Sequence, residues 1–276
     1  MFIDNIKPSP ALNEFIRIYR VIDFHFPEGE PLFPKLYTPR PEICLQFYPK
    51  DRERIQYTNH EQPIMGNTST LAGQHTVTHS RFVPKNFLSF QVVFQPGAFY
   101  RLTGIPAEML TNYSLTADEI FGREADYINE QLLETKDYRE MIKLVEAFLI
   151  TVVKKVNKPQ HPIDKIALLM LSDYEKYSLD FFIREACISQ RQFDRKFSEL
   201  AGISPKKFLR IIRFDKVFRM KNRFPERDWL TIAIHCGYYD YQHLVKDYKE
   251  FTGFTPTQFF EADTMGPDRI LGVAEV

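Results

Sequence analysis

The chain repeats itself. Leu200-Ala201-Gly202-Ile203-Ser204-Pro205-Lys206-Lys207-Phe208-Leu209 and Phe251-Thr252-Gly253-Phe254-Thr255-Pro256-Thr257-Gln258-Phe259-Phe260 run through the same residue types without a gap. Both read apolar, small or polar, Gly, apolar, hydroxyl, Pro, polar, polar, Phe, apolar. The copies lie 51 residues apart, counted from Gly202 to Gly253. The same offset carries Ser189 onto Asp240, Phe193 onto Leu244, Arg195 onto Lys246 and Phe197 onto Tyr248. Two copies are too few to stack as a solenoid, so they predict two similar lobes.

Each copy obeys the rules of helix ends. Ser189 and Asp240 are N-caps, with side-chain oxygens that accept bonds from the free amides of a helix start. Phe193 and Phe197, like Leu244 and Tyr248, lie four apart on one buried face. Gly202 and Gly253 sit at the C-terminal ends, and Ser204-Pro205 and Thr255-Pro256 open the next helices. Short helices precede each cap, Leu179 to Ala186 and Trp229 to His235, with Cys236-Gly237 as the turn in the second copy. Helix, tight turn and capped helix spell helix-turn-helix, twice. The pattern leaves Gln190, Arg191, Asp194, Arg195 and Ser198 on the open face of one second helix. It leaves Tyr241, Gln242, His243, Lys246 and Lys249 on the other. Arg and Gln can read guanine and adenine edges in a major groove, so double-stranded DNA is the expected partner.

Pro205 to about Lys221 reads as one long helix joining the copies, with Phe208, Leu209, Ile212, Val217 and Met220 on its apolar side. Lys plus Arg and Asp plus Glu both total 36, so the whole chain is neutral. Locally it is not. Residues 184–223 hold twelve basic and four acidic side chains, a net of +8 that suits phosphate binding. Residues 240–263 have a net of −3. The first copy is therefore expected to carry most of the affinity.

The first half has a different grammar. Eleven of the 18 prolines fall before residue 97, which disfavours helix there. Ile43–Tyr48, Phe87–Phe94 and Thr76-Val77-Thr78 read as strands, so a small β-barrel or sandwich is expected. Helices follow over Asp118–Leu133 and Tyr138–Val156. In the second, Met141, Leu144, Val145, Phe148, Leu149, Val152 and Val156 form one apolar face. That face either packs on its own domain or makes a homodimer through 138–156. The basic, proline-bearing stretch 157–162 is the expected linker. The fold class is thus an α+β N-terminal domain followed by an all-α C-terminal domain with two helix-turn-helix motifs joined by a long helix.

Residues 163 to 260 resemble the C-terminal DNA-binding domain of the AraC/XylS family of transcription regulators. Ala233, Cys236-Gly237-Tyr238, Leu244, Tyr248-Lys249, Gly253-Phe254-Thr255-Pro256 and Phe259 carry the resemblance. It implies seven helices, with reading helices at 189–200 and 240–251 in successive major grooves. Val93-Phe94-Gln95-Pro96-Gly97 through Gly104 resembles a sensor domain of the same family. The resemblance implies a sensor and dimerisation domain at 1–156, a DNA-binding domain at 163–263 and a tail at 264–276. It further implies a small-molecule effector and contact with RNA polymerase. Cys187 stands where the first turn commonly has Gly, and Ile183 where Ala is common, so a distorted first turn is expected.

Other constellations are weaker. His75 and His79 share a strand face that could point inward with His25 or His60, but no third ligand stands at a supporting spacing, so no metal is expected. Cys44, Cys187 and Cys236 are an odd, scattered set, which is no disulfide framework. Nucleophile and phosphate-loop motifs are missing, so neither an enzyme nor a cofactor is expected. The start lacks a secretory pattern and no run approaches membrane length, so no membrane partner and a cytoplasmic location are expected. The rival readings are a protein-interaction adaptor with degenerate DNA binding, and a barrel enzyme fused to a nucleic-acid module.

Overall fold

The structure is a computed structural model that describes residues 2–29, 31–58, 60–156 and 158–272. Its first part is built on ten strands. These are β1 (Phe2–Ile6), β2 (Ile16–His25), β3 (Lys35–Tyr37), β4 (Cys44–Phe47), β5 (Arg54–Gln56), β6 (Ile64–Met65), β7 (Ser69–Ala72), β8 (His79–Phe82), β9 (Asn86–Phe94) and β10 (Ser114–Thr116). They form two antiparallel sheets, of order β1-β2-β9-β4-β7-β10 and β3-β8-β5-β6, rather than a closed barrel.

The period-2 rule assigns the faces of the larger sheet. Tyr19, Val21, Phe90, Val92 and Phe94 point into the main core. That core is closed by α3 (Glu124–Glu134) and α4 (Tyr138–Val153). The opposite face is divided. Phe24 and Phe87 pack with Tyr48 and Val83 towards the smaller sheet, and Ile18, Cys44 and Val93 form a separate small cluster. Met141, Val145, Phe148 and Leu149 of α4 are all buried inside the chain. Each such burial contributes about 1.5–3 kcal/mol, so this face is committed to its own domain.

Short helices α1 (Ala98–Thr103) and α2 (Asp118–Phe121) and a 3-10 turn at Ala107–Leu110 complete this part. Three expectations are corrected. The helix expected over Asp118–Leu133 is two helices, because the chain leaves helical geometry at Gly122 (φ 73°, ψ −171°). The next ends at Val153 rather than Val156. Thr76-Val77-Thr78 is not strand. The Thr76 amide donates to Asn112 Oδ1 (2.7 Å), and the Thr78 amide to the Phe251 carbonyl (2.7 Å). Neither bond belongs to a ladder.

The second part is helical. It comprises α5 (Pro162–Asp173), α6 (Leu179–Glu185), α7 (Gln190–Ala201), α8 (Pro205–Arg223), α9 (Trp229–His235), α10 (Tyr241–Thr252), α11 (Pro256–Asp263) and α12 (Pro267–Ile270). The caps are those the residues announce. Ser189 and Thr255 form capping boxes with Gln192 and Gln258, and Asp240 Oδ1 accepts from the His243 amide (2.7 Å). One core holds both copies, with Phe193, Phe197, Leu244 and Tyr248 around α8. Phe214 makes edge-on contacts with Tyr248 and Phe251. The apolar side of α8 is wider than its spacing suggested, because Ile211, Phe214 and Phe218 are buried as well. Among the stretches expected as linker and tail, Asn157 and residues 273–276 lie outside the described residues.

Candidate nucleic-acid interface and the cavity behind it

The two helix-turn-helix units are α6–α7 and α9–α10. In the first, Gln190, Arg191 and Arg195 are exposed and take part in no ion pair among the described residues, while Asp194 and Ser198 are half-buried. In the second, Gln242, Lys246 and Lys249 are exposed. Tyr241 packs against the core, and His243 sits edge-on to Tyr238 at 5.2 Å. Tyr239 was not singled out from the residues, yet it is 87% exposed immediately before the Asp240 cap. Its sequence signal is position, since it is the turn residue next to the N-cap of α10.

The first turn does hold a left-handed backbone. Cys187 has φ 53°, in the region that Gly237 occupies at φ 79° in the second turn. The helices on either side are intact, so strain at one residue takes the place of a distorted turn. Burial pushes the Cys236 thiol up to about 11, which fits a packing role.

The acidic balance of the second copy is absorbed by the fold. Asp247 is buried and accepts from Tyr238 Oη (2.9 Å) and Arg210 Nη2 (2.7 Å). Arg210 also bonds Glu250 (2.5 Å), and Lys207 lies 3.6 Å from it. Burial works against the Arg210 guanidinium, yet its bonds to Glu250 and Asp247 hold it above its ordinary range. Asp263 is taken by Lys35 and Arg269. The face that α10 leaves open is therefore polar and basic. The basic surplus of the first stretch is likewise smaller at the surface. Lys216 pairs with Glu175, Arg219 with Asp215, and Lys221 is buried, donating to the carbonyls of Pro225 and Arg227.

Behind these helices lies the β-rich part. Leu36 and Tyr100 pack on the helical core. The Thr111 hydroxyl donates to the Gly202 carbonyl at the end of α7, and the Thr78 amide to Phe251 in the last turn of α10. The two contacts are joined to each other. Asn112 accepts from Thr76, and the Asn112 amide donates to the Gln74 carbonyl (3.0 Å). One welded piece, residues 74–78 with 111–112, thus touches the C-terminal ends of both second helices.

Thr78 leads directly into β8, which lines a cavity between the two sheets and α12. The cavity is about 60 Å³, with apolar walls from Ile22, Phe24, Val83 and Phe87. Its polar lining is Lys35, Tyr37, Glu53, Arg81, Gln91 and Asp268. Lys35 Nζ bonds Asp263 (3.0 Å) and Asp268 (2.8 Å), so one lysine of the smaller sheet links to the last two helices. Burial works against the Arg81 guanidinium, but Glu53 at 3.3 Å and nearby phenols hold it above its usual range.

His75 and His79 lie beside this region, ring centres 4.5 Å apart, near Tyr57. His60 lies near Tyr57 (6.0 Å), and His25 is exposed at the end of β2. Burial, and then Arg81, lower His75 to about 3; burial and His75 hold His79 well below its ordinary range. Both are neutral imidazoles of the interior. Among the described residues no group of three or more His, Cys, Asp or Glu is placed to hold a metal. Among them, too, no helix is long and apolar enough to cross a membrane.

Two family models match the chain. One, a helix-turn-helix domain, matches residues 182–262. The C-terminal region is an AraC-type helix-turn-helix domain. The other model, a domain of unknown function (DUF6597), matches residues 4–116, the β-rich part in front of the AraC-type domain. No curated protein matches the chain in sequence. Among solved structures, the apo form of a ToxT variant from Vibrio cholerae covers 90% of this chain and 97% of its own, at 13% identity and a TM-score of 0.50. ToxT from Vibrio cholerae bound to (E)-4-(8-methylnaphthalen-1-yl)but-3-enoic acid covers 89% of this chain and 99% of its own, at 11% identity and a TM-score of 0.50. At such identities the likeness is one of fold, a β-rich part followed by an AraC-type helical part. It is the AraC-type helix-turn-helix domain over residues 182–262, not the likeness of fold, that marks the chain as a DNA-binding transcription regulator.

Proposed function

We propose that this regulator reads two successive segments of duplex DNA with α7 and α10, and that a small effector in the cavity sets how the two helices are presented. The observation that carries the reading is the continuity from Arg81 in the cavity wall, through Thr78, to the piece that holds both helices. A ligand that moves β8 has a short mechanical route to α10 and, through Asn112 and Thr111, to α7. The proposed contacts are Gln190, Arg191, Asp194, Arg195 and Ser198 in the first unit. In the second they are Tyr241, Gln242, His243, Lys246 and Lys249, with Tyr239 added. Support for a small-molecule site comes from ToxT, similar in fold, which was solved with a small organic molecule bound.

RNA polymerase contact and a homodimer belong to the same reading. A homodimer through 138–156 would use what α4 leaves outside, Lys143, Ala147 and Thr151, since its apolar face is turned inward.

The test is selection from randomised duplex DNA with the full chain at two salt concentrations. A site of two elements about ten base pairs apart, weakening steeply with salt, is the expected result. Arg191→Ala and Arg195→Ala should each cost about 1–3 kcal/mol where they touch bases. Lys246→Ala or Lys249→Ala should lower the salt slope by about 1 if they touch phosphate. Equal binding by all four variants and the parent would remove α7 and α10 as readers.

A further inference from the structure

The cavity in the β-rich part says what kind of molecule it can hold. We infer that its ligand is a small cationic hydrogen-bond donor, an alkylamine or amidine, rather than an organic acid. This rests on reading the cavity as an effector site. Among the described residues, the buried polar atoms of its lining residues that take no hydrogen bond are Glu53 Oε2 and Asp268 Oδ1, both carboxylate oxygens. Glu53 is 1% exposed. Its other oxygen accepts from Tyr48 Oη (2.7 Å), and Arg81 Nη1 stands 3.3 Å from it. What the cavity lacks, therefore, is donors. An ammonium group brings three of them, and charge-assisted bonds to ionised oxygens are the stronger kind.

An acid would meet the opposite situation. Lys35 is held by Asp263 and Asp268, and Arg81 by Glu53, by His79 Nε2 (3.2 Å) and by the face of Tyr37. A ligand carboxylate would have to take a cation from a buried acid and leave that acid unpaired, which is costly. The walls fix the remainder of the molecule. Phe24 and Phe87 suit a short alkyl or aryl body. A cavity of about 60 Å³ admits about four to six non-hydrogen atoms. Asp268 is shared with Lys35, so the bound cation competes for the carboxylate that ties β3 to α12.

The test uses n-butylammonium and butyrate, matched in length, with the full chain. Binding is read by calorimetry and by the effect of each probe on DNA affinity. Butylammonium should bind, and butyrate should bind at least about tenfold more weakly. Glu53→Gln and Asp268→Asn should each weaken butylammonium about tenfold. Asp268 lies on α12, outside the sheets, with 12% of its side chain exposed, so its variant keeps the test open if loss of the Glu53 charge unfolds the sheet. Val83→Trp, which fills the cavity, should abolish binding of either probe. If butyrate binds more tightly and Val83→Trp removes it, the cavity remains an effector site and the amine assignment is overturned. Butylammonium binding that survives both carboxylate variants also overturns it. If neither probe binds, the effector reading of this cavity falls as well. Binding that leaves DNA affinity unchanged supports the ligand class and removes its role as an effector.

Discussion

The backbone amide of Thr78 donates to the carbonyl of Phe251 across 2.7 Å, joining a loop of the β-rich part to the last turn of α10, a proposed DNA-reading helix. Thr111 makes the corresponding contact to Gly202 at the end of the other. The repeat offset shows how alike these are. Gly202 and Gly253 are equivalent, and Phe251 lies two residues before the second. Both grips fall on carbonyls that a helix end leaves without intrahelical partners, so each bond satisfies a group that would otherwise need water.

The equivalent glycines separate helix strain from docking. Both have positive φ, 83° at Gly202 and 79° at Gly253. A Cβ at Gly253 meets open space, whereas one at Gly202 lies 3.1 Å from the Ala107 carbonyl and from Thr111 Oγ1. Gly253→Ala should cost about 1 kcal/mol from backbone strain alone. Gly202→Ala should cost about 1–3 kcal/mol more, the range for overpacking. Urea unfolding of the two variants measures the difference, and equal losses would mean that the α7 contact yields freely.

Cys187→Gly should stabilise the chain by about 1 kcal/mol. Cys187 holds φ 53° with a side chain that is exposed, so little packing is lost. A rise in thermal midpoint with unchanged DNA affinity is the expected reading.

Arg210→Gln should both destabilise the domain and weaken DNA binding. The residue bonds Asp247 and Glu250, and its loss leaves Asp247 buried with only Tyr238 as partner. The stability cost is about 1.5–3 kcal/mol for bonds to a charged group. The freed charge beside α10 should lower DNA affinity more at low salt than at high. A variant equally weakened at both salts would place the effect in folding alone.

Acid should destabilise the fold below the ordinary histidine range. His75 and His79 are held neutral when folded, His75 at about 3 and His79 well below its ordinary value, while the unfolded chain protonates both near 6.5. The unfolded state thus binds more protons, so this contribution is complete above about pH 6.5 and is lost as pH falls towards 3. Each histidine adds a slope of about 1.4 kcal/mol per pH unit. Unfolding free energies between pH 7 and 5 should show it, and His75→Asn should flatten the curve by about one proton.

The helical half was legible because its signals are local. Ser189, Asp240, Pro205 and Pro256 mark helix starts within a turn of themselves, and the observed helices begin there. What escaped depended on distant partners. Thr76-Val77-Thr78 has the composition of a strand, but its amides go to Asn112 and Phe251. Asp247 and Glu250 counted against DNA binding because nothing near them in sequence reveals Arg210 folding back. Asp268 fell in an expected tail, yet it lines the cavity. Of the two families of open-face residues, Tyr241 and His243 are partly spent on packing, while Tyr239, just before the Asp240 cap, is 87% exposed.

Both α7 and α10 are held from behind, at their C-terminal carbonyls, while Gln190, Arg191 and Gln242 in their first turns stay exposed. On the proposed reading, such a regulator has nothing to unmask, and its control variable is the angle between two probes that are always presented. A ligand should then alter which operator spacing is preferred, in a graded manner, before it alters whether DNA is bound at all.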